Sequence, residues 1–144
     1  MDKHIRRLTI ADYDHILKVW SDAGLPFKPK GRDSRARMAV EMAAPHCAFF
    51  GLFDKDIMIG MAIANWDGRR GWVNRVAIDP EYRGRGLAGE LIRECEKFLE
   101  SLGALIICAL IEDMNFPSMD CFEKEGYVCM KEILYFSKRR SPEV

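Results

Sequence analysis

Residues 72–102, which read WVNRVAIDPEYRGRGLAGELIRECEKFLESL, decide the fold of this chain. Residues 72–78 form an apolar run broken by two polar residues. They predict a strand that ends before Pro80, because proline cannot donate to a central ladder. From about Gly86 onward, apolar residues recur every three or four positions, which predicts an amphipathic helix. The stretch therefore predicts a strand, a turn rich in glycine and arginine, and a long helix.

The turn between this strand and helix, residues 83–88 (RGRGLA), has the chemistry of a phosphate site. Glycine lets a ligand approach the backbone closely. The first turn of a helix carries unpaired N–H groups and a partial positive charge, which attract anions. Arg83 and Arg85 add two permanent cations with forked donor geometry. We expect this loop to bind phosphate or pyrophosphate mainly through its backbone.

Two phosphate-binding folds compete for this loop. Gly84, Gly86 and Gly89 spell G-x-G-x-x-G, the pattern of dinucleotide-binding domains, and Glu112 ends the next apolar run. In those domains the first glycine follows the strand almost directly, and the unit usually opens the domain. Here residues 79–83 intervene, and about half of the chain comes earlier. We therefore favour another fold and keep a nucleotide-binding oxidoreductase as a distant alternative.

A second pair of motifs points to a known family. Arg83-x-x-Gly86-x-Ala88, preceded by a strand and contained in DPEYRGRG, resembles the coenzyme A loop of the GCN5-related N-acetyltransferases, the GNAT family. Residues 115–127 (NFPSMDCFEKEGY) are similar to the family's second signature, an asparagine and a short helix that ends in Glu-Lys-x-Gly-aromatic. The two matches, in this order, are far more specific than either alone. Together with the predicted elements, the resemblance covers nearly the whole chain.

The element pattern predicts a mixed α/β (α+β) sheet with helices on both faces, in the order β-α-α-β-β-β-α-β-α-β(-β). Residues 104–111 form a continuous apolar run that predicts a strand buried on both faces and parallel to the central strand. The remaining predicted elements are a strand at 5–10, a helix from about 12 to 24, a helix from 33 or 34 to 43, an antiparallel hairpin at 47–53 and 57–65, a helix at 115–125, and one or two strands at 127–137.

The resemblance implies the same element order in a single GNAT-like domain over residues 1–144. The polar residues 138–144 are expected to form a frayed tail. It further implies a mostly antiparallel sheet whose two central parallel strands splay apart. On this sequence the gap would fall between 73–78 and 104–111, and the pantetheine arm of the cofactor would lie in it.

The resemblance also implies the activity. The chain would be an acetyl-CoA-dependent N-acetyltransferase, in which a primary amine of a small molecule or of a peptide or protein attacks the thioester directly. Backbone N–H groups of the central strand would pair with pantetheine and stabilise the developing oxyanion. Asn115 would lie near pantetheine, although capping the short helix is its ordinary role. The residues expected to bind coenzyme A are Val76, Ala77, Ile78, Arg83, Gly84, Arg85, Gly86, Leu87, Ala88, Gly89, Asn115 and Phe122.

The catalytic positions depart from the family pattern. Phe122 stands where a tyrosine often protonates the leaving thiolate, and phenylalanine cannot donate a proton. Asn74 stands near the place of an acid that relays the amine proton, and it can order water but cannot accept that proton. Leu110 replaces a glutamate that some members carry. These departures keep a second hypothesis open, a non-catalytic regulatory module that binds acyl-CoA.

Substitute catalytic groups must then come from elsewhere in the chain. Glu112 and Asp113 follow the strand predicted at 104–111 near the expected cleft, and they are our candidate bases, with solvated loop acids as the ordinary alternative. Cys121 and Tyr135 are candidate acids, and Cys121 is also suited to pack as a small apolar group.

The loop between the first two helices, which sets acceptor choice in this fold, is basic and aromatic. A cationic rim of this kind would suit an acceptor with a carboxylate or phosphate, such as an amino acid or acidic peptide. The alternative is a solvated basic face, which is the commoner meaning of a charge run. Its residues are Phe27, Lys28, Lys30, Arg32, Arg35 and Arg37.

Composition limits the partners and the compartment. The net charge is zero, with 22 basic and 22 acidic residues, so no overall field attracts nucleic acid or an anionic membrane. No segment is long and apolar enough to span a bilayer, and the first residues lack the apolar core of a signal peptide. Five cysteines without a C-x-x-C motif predict buried, reduced thiols. We expect a cytoplasmic protein, without a metal, that binds acetyl-CoA and an amine acceptor as a monomer or homodimer.

Overall fold

The computed structural model describes residues 1–144 and contains one five-stranded sheet with helices on both faces. The strands are β1 (Lys3–Arg7), β2 (Cys47–Asp54), β3 (Ile57–Trp66), β4 (Gly71–Ile78) and β5 (Ile107–Cys108). The helices are α1 (Tyr13–Asp22), α2 (Arg35–Ala43), α3 (Leu87–Ser101) and α4 (Phe116–Lys124), with 3-10 turns at Ile10–Asp12 and Pro80–Tyr82.

The strands lie side by side in chain order. Each pair from β1 to β4 is antiparallel, and β4 and β5 are parallel. This arrangement confirms the predicted fold class, a mixed and mostly antiparallel sheet. It also rules out the dinucleotide-binding alternative, whose doubly wound sheet is mostly parallel.

The two faces of the sheet carry separate hydrophobic cores because successive strand side chains point to opposite sides. In β2, Phe50 and Leu52 belong to the core beneath α3 and α4. Cys47 and Phe49 from the same strand belong to the core beneath α1 and α2. The sheet therefore separates the α3 side of the molecule from the α1 side, and this division decides which residues can meet in a site.

Helix α3 follows the prediction closely. Gly86 precedes it and Gly103 follows it, both with positive φ, at 74° and 102°. Leu91 and Leu99 on its inner face are fully buried. A Cβ on Gly71 of β4 would lie 2.9 Å from the Leu99 side chain, so the helix lies directly on the strand that precedes it.

The parallel strands β4 and β5 separate almost as soon as they meet. Their pairing is confined to Gly71 with Ile107 and Trp72 with Cys108, whereas β4 continues to Ile78. Beyond Trp72, the edge of β4 that faces β5 has no strand partner. The gap lies between the two segments for which it was predicted.

Two predictions about the C-terminal half are wrong. The strand expected at 104–111 is reduced to the two residues of β5, and Leu105 and Leu110 are exposed rather than buried on both faces. The strands expected at 127–137 are absent, and residues 128–137 are exposed. The physical reason is shared, because a strand needs a neighbouring ladder and the short β5 offers almost none to a further strand.

Smaller differences occur at the ends of the chain. The first strand occupies Lys3–Arg7 rather than 5–10, since Thr9 already precedes a 3-10 turn. All five cysteines are free, and Cys47 and Cys95 are buried as expected. Cys129 is exposed, contrary to the expectation, because it lies in the segment that forms no strand.

An ion pair fixes the connection between β1 and α1. The Arg6 guanidinium donates to both carboxylate oxygens of Asp12, at 3.0 and 3.1 Å, and Asp12 also accepts from the Thr9 N–H at 2.9 Å. The hydrogen bond from Arg6 is the main cause that lowers the pKa of Asp12 below its ordinary value of 3.8. The interaction therefore stabilises the fold above that pH and is lost as the pH falls through the lowered pKa.

We expect Asp12→Asn to lower the free energy of unfolding at pH 7 by about 1–3 kcal/mol, because charged hydrogen bonds are lost. The difference from the wild type should shrink as the pH falls below about 4 and Asp12 of the wild type becomes protonated. Urea denaturation at several pH values would measure both effects. Asp22→Asn, which removes an exposed ion pair with Lys18, is the control and should change little. An Asp12→Asn defect independent of pH would contradict the assignment.

Candidate active site

The loop before α3 presents a concave backbone. Gly84 and Gly86 both adopt left-handed φ values, 78° and 74°, and conformations of this kind favour runs of N–H groups that bind anions. A Cβ on either glycine would meet no atom within 4 Å, so the backbone conformation and not crowding requires glycine. No side chain caps α3, and the N–H groups of its first turn point into this loop.

Two arginines flank the loop, and both are exposed. Arg83 donates from Nη2 to the carbonyl oxygen of Ala23 at 3.3 Å, which places it against the end of α1. Arg85 lies over the ring of Tyr82, 5.2 Å from its centroid, and the Tyr82 hydroxyl donates to Asp54 at 3.0 Å. The end of α1 thus holds one of the two cations of the glycine-rich loop, and Tyr82 of the 3-10 turn holds the other.

The loop's other predicted ligands have structural roles as well. The side chain of Leu87 is buried in the core, and Ala88 packs against it. A Cβ on Gly89 would lie 2.6 Å from the Glu125 carboxylate, so this glycine permits the contact between α3 and α4. These three residues can offer a ligand their backbone but little side-chain surface.

A bulge in β4 shapes the open edge. The pairing of β3 with β4 shifts by one residue between Met61 and Ile63, and Arg75 has a φ of 56°. The extra residue places two consecutive side chains, Asn74 and Arg75, on the α1 side of the sheet. On either side of the bulge, Val73 and Val76 face α3.

Asn74 and Arg75 face a cavity of about 760 Å³ between the sheet and the first two helices. It lies beside the gap between β4 and β5, because residues 110–112, which follow β5, form its opposite wall. The structure therefore brings together the predicted residues Asn74, Glu112 and Tyr135 at one place. The other lining residues are Trp20, Arg32, Asp33, Met38, Glu41, Phe49, Ile63, Asn65, Leu110, Ile111 and Arg139.

Arg75 is held firmly on the cavity wall. Its guanidinium lies 4.3 Å from the Trp20 ring centroid, and its Nη2 is 3.4 Å from Asp33 Oδ2. Asp33 is itself buried and accepts from the Lys28 N–H at 2.7 Å. Burial lowers the pKa of Arg75, and Asp33 opposes that change. The contacts fix a half-buried cation whose remaining N–H groups are free to meet an acceptor.

Glu41 is a cavity residue that the sequence reasoning missed. It lies one turn after the buried Met38 on α2, and this spacing was the available signal that the two share a face. The cavity walls desolvate its carboxylate and raise its pKa above the ordinary 4.5, with Asp33 adding repulsion. Glu41 and Glu112 are thus two carboxylates that line the cavity together with Asn74.

The other predicted residues lie outside the cavity. Asp113 is exposed and accepts from the adjacent Met114 N–H at 2.9 Å. Asn115 caps α4 by accepting from the Ser118 N–H at 3.3 Å. Cys121 packs against the α3-side core, and Phe122 is buried there with its ring edge-on to Tyr127, the centroids 4.9 Å apart. Neither of these two side chains meets Asn74 or Glu112 across the sheet.

No helix combines the length and apolar character needed to cross a membrane. No group of three or more histidine, cysteine or acidic residues is placed to hold a metal ion.

The chain is similar to several known acetyltransferases. Acetyltransferase SG1711 of Sodalis glossinidius (strain morsitans) is 26% identical over 133 residues, which are 92% of this chain and 85% of the relative. PaiA N-acetyltransferase from Thermoplasma acidophilum, solved in complex with coenzyme A, has a TM-score of 0.77 at 20% identity, covering 88% of this chain and 89% of that one. The aminoglycoside N-acetyltransferase AAC(6')-Iy, in complex with CoA, has a TM-score of 0.81 at 19% identity, covering 95% of both chains.

These structures share the fold described above. Residues 13–127, which include both sequence signatures, the open edge of β4 and most of the cavity wall, match the acetyltransferase (GNAT) family. This chain is therefore an enzyme of the acetyltransferase (GNAT) family.

Proposed function

We propose that the enzyme transfers the acetyl group of acetyl-CoA to a primary amine of a small molecule or of a peptide or protein, and that the amine enters through the 760 Å³ cavity. One observation carries this proposal. The free edge of β4 runs from the bulge at Asn74 and Arg75, on the cavity wall, to Ile78 near the glycine-rich loop. A cofactor as long as acetyl-CoA can therefore lie along this edge, with one end at the glycine-rich loop and the other at the cavity.

Each part of the site supplies a different interaction. The backbone of Gly84 to Gly86 and the first turn of α3 bind the phosphates, assisted by Arg83 and Arg85. The free N–H and C=O groups of Val76, Ala77 and Ile78 pair with the pantetheine arm, as a further strand would. Their side chains pack in or against the two hydrophobic cores. The same residues therefore stabilise the fold with their side chains and bind the ligand with their backbone.

The chemistry is a direct transfer. The amine nitrogen attacks the thioester carbonyl, the new C–N bond forms, and the C–S bond breaks with coenzyme A leaving as a thiolate. Fixed backbone N–H groups at the bulge stabilise the negative charge that develops on the carbonyl oxygen. Glu41 or Glu112 accepts the proton that the amine loses, directly or through water held by Asn74. Tyr135, which lines the cavity, is the candidate acid for the thiolate.

The phosphate site can be tested by ligand-induced stabilisation. Acetyl-CoA at a hundred times its dissociation constant should add about 2.7 kcal/mol to the stability of the wild type. Gly86→Glu should abolish this gain, because its side chain would occupy the space in which the ligand approaches the backbone and its carboxylate would repel phosphate. Gly103→Glu is the matched control, since Gly103 also has a positive φ with open space around it but lies at the far end of α3. It should lose intrinsic stability yet keep the response.

Thiol release over a panel of amines then tests the transfer itself. We expect turnover of at least one primary amine by the wild type and its loss in Gly86→Glu. Stabilisation by acetyl-CoA without turnover of any amine would favour the acyl-CoA-binding module instead. If Gly86→Glu and Gly103→Glu lost the stabilisation by acetyl-CoA equally, the glycine-rich loop would not be the phosphate site.

The catalytic base can be tested by comparing acids inside and outside the cavity. The double substitution Glu41→Gln with Glu112→Gln should lower kcat/KM by about 10²–10⁴-fold, the usual contribution of general-base catalysis. Asp113→Asn, outside the cavity, should leave kcat/KM nearly unchanged. In the wild type, kcat/KM should fall as the pH drops through the raised pKa of Glu41. Measuring kcat/KM of the wild type and the variants across pH would test these expectations. A large loss of kcat/KM in Asp113→Asn alone would overturn the assignment of the base to Glu41 or Glu112.

A further inference from the structure

A strongly basic groove opens beside the acceptor cavity. Its volume is about 470 Å³, and its walls contain no acidic side chain. Two stretches that are distant in the sequence form it. One is the loop before α2 with the first turn of that helix, and the other is the C-terminal segment from Tyr135 onward. We call it the cationic groove, and its charged residues are Lys30, Arg32, Arg37, Lys138, Arg139 and Arg140.

The chain itself leaves most of these charges unpaired. Arg32 Nε lies 3.9 Å from the carboxylate of Asp33, which Arg75 also contacts, and the other five have no side-chain carboxylate within 4.0 Å. Arg139 donates to the backbone oxygen of Val144 at 3.0 Å. Some lysines elsewhere on the surface, such as Lys18, Lys97 and Lys124, do have an acidic partner. The groove therefore gathers several cations whose charge few side-chain carboxylates balance.

The backbone brings the two halves of the groove into contact. A Cβ on Gly31 would lie 2.6 Å from the carbonyl oxygen of Glu143, so the C-terminal segment packs directly against the loop before α2. Like charges held this close repel one another, and an anion between them would relieve that repulsion. Four of the six groups are arginines, whose planar forks pair with carboxylates through two parallel hydrogen bonds.

The groove is continuous with the acceptor cavity. Arg32, Tyr135 and Arg139 line both spaces. The cavity end also carries the carboxylates Glu41 and Glu112, which attract a protonated amine, whereas the groove carries only cations. This separation of charge would orient an acceptor that has an amine at one end and negative charge at the other.

On the basis of the function proposed above, we propose that the acceptor is the amine of an acidic peptide segment, with the carboxylates that neighbour the amine held in the cationic groove. The groove gathers six cationic side chains, more than the single carboxylate of one amino acid would neutralise. The same charges disfavour polycationic acceptors, because like charges placed opposite each other cost affinity. This enzyme therefore differs in acceptor chemistry from the aminoglycoside N-acetyltransferase that shares its fold.

Three peptides of equal length test the proposal, each with a free amino terminus and one lysine, followed by glutamate, glutamine or arginine residues. We expect kcat/KM to be highest for the glutamate peptide and lowest for the arginine peptide, with steps on the order of tenfold at low salt. The preference should shrink as ionic strength rises from about 0.01 M to 0.15 M, where the screening length falls from about 30 Å to 8 Å. An aminoglycoside and an amine that carries a phosphate monoester are assayed beside the peptides as alternative acceptors.

Charge-reversal variants test whether the preference for the glutamate peptide arises from the cationic groove. Arg37→Glu and Arg140→Glu should each raise KM for the glutamate peptide about tenfold and leave kcat nearly unchanged, because both residues are remote from the reacting atoms. Lys97→Glu, an equal charge change on the exposed face of α3, is the matched control and should have no such effect. Equal use of all three peptides, a preference for the aminoglycoside or phosphate arm, or an equal effect of Lys97→Glu would overturn the proposal.

The cationic groove can also be tested if the enzyme acetylates none of the amines. If no amine is acetylated, the proposed function fails, and binding of the labelled glutamate peptide in the presence of coenzyme A is measured by fluorescence anisotropy. Binding that Arg37→Glu weakens and Lys97→Glu does not would still support the groove as an acidic peptide site. Absence of binding, or binding equal for the arginine peptide, would overturn it.

Discussion

The separation of β4 from β5 is the constraint on which the rest of the structure depends. Backbone N–H and C=O groups are obligatory hydrogen-bonding groups, so a central strand with one free edge is costly unless water or a ligand pairs with it. The two strands share only two residue pairs, and the crossover that joins them contains α3. The core on the α3 side holds this crossover in place, so the gap is fixed by packing. The sheet is thereby built with space for an extended ligand at its centre.

The bulge at Arg75 turns that gap into a site with two sides. A regular strand would have alternated its side chains and left one of Asn74 and Arg75 in the α3-side core. With the extra residue, both side chains face the cavity, while the free N–H and C=O groups of β4 lie in the plane of the sheet along the edge that faces β5. The left-handed backbone that this requires is held by the contacts of Arg75 with Trp20 and Asp33. The cavity wall and the free backbone edge of β4 are thus both formed by one irregular strand.

Charge is distributed unevenly around this site although the chain as a whole is neutral. Cations flank the glycine-rich loop, carboxylates line the cavity near Asn74, and the cationic groove continues away from it. Neutrality of the whole chain means that long-range attraction contributes little, and that recognition depends on these local groups. The loop between α1 and α2 therefore has a larger role than the connection of two helices, because its residues line both the cavity and the groove.

The elements whose signals are local could be predicted from the amino-acid sequence. The glycines at 84, 86 and 103, the periodicity of α3 and the apolar runs of β2 and β3 act over a few residues, and the structure agrees with them. Residues 83–88 and 115–127 likewise sufficed to indicate the family. The tertiary structure alone decided what depends on neighbours in space. The apolar run at 104–111 lost most of its strand because no ladder adjoins it, and the bulge, Glu41 and the union of Lys30 with Arg139 and Arg140 in one groove arise from contacts between distant segments, which no local pattern records.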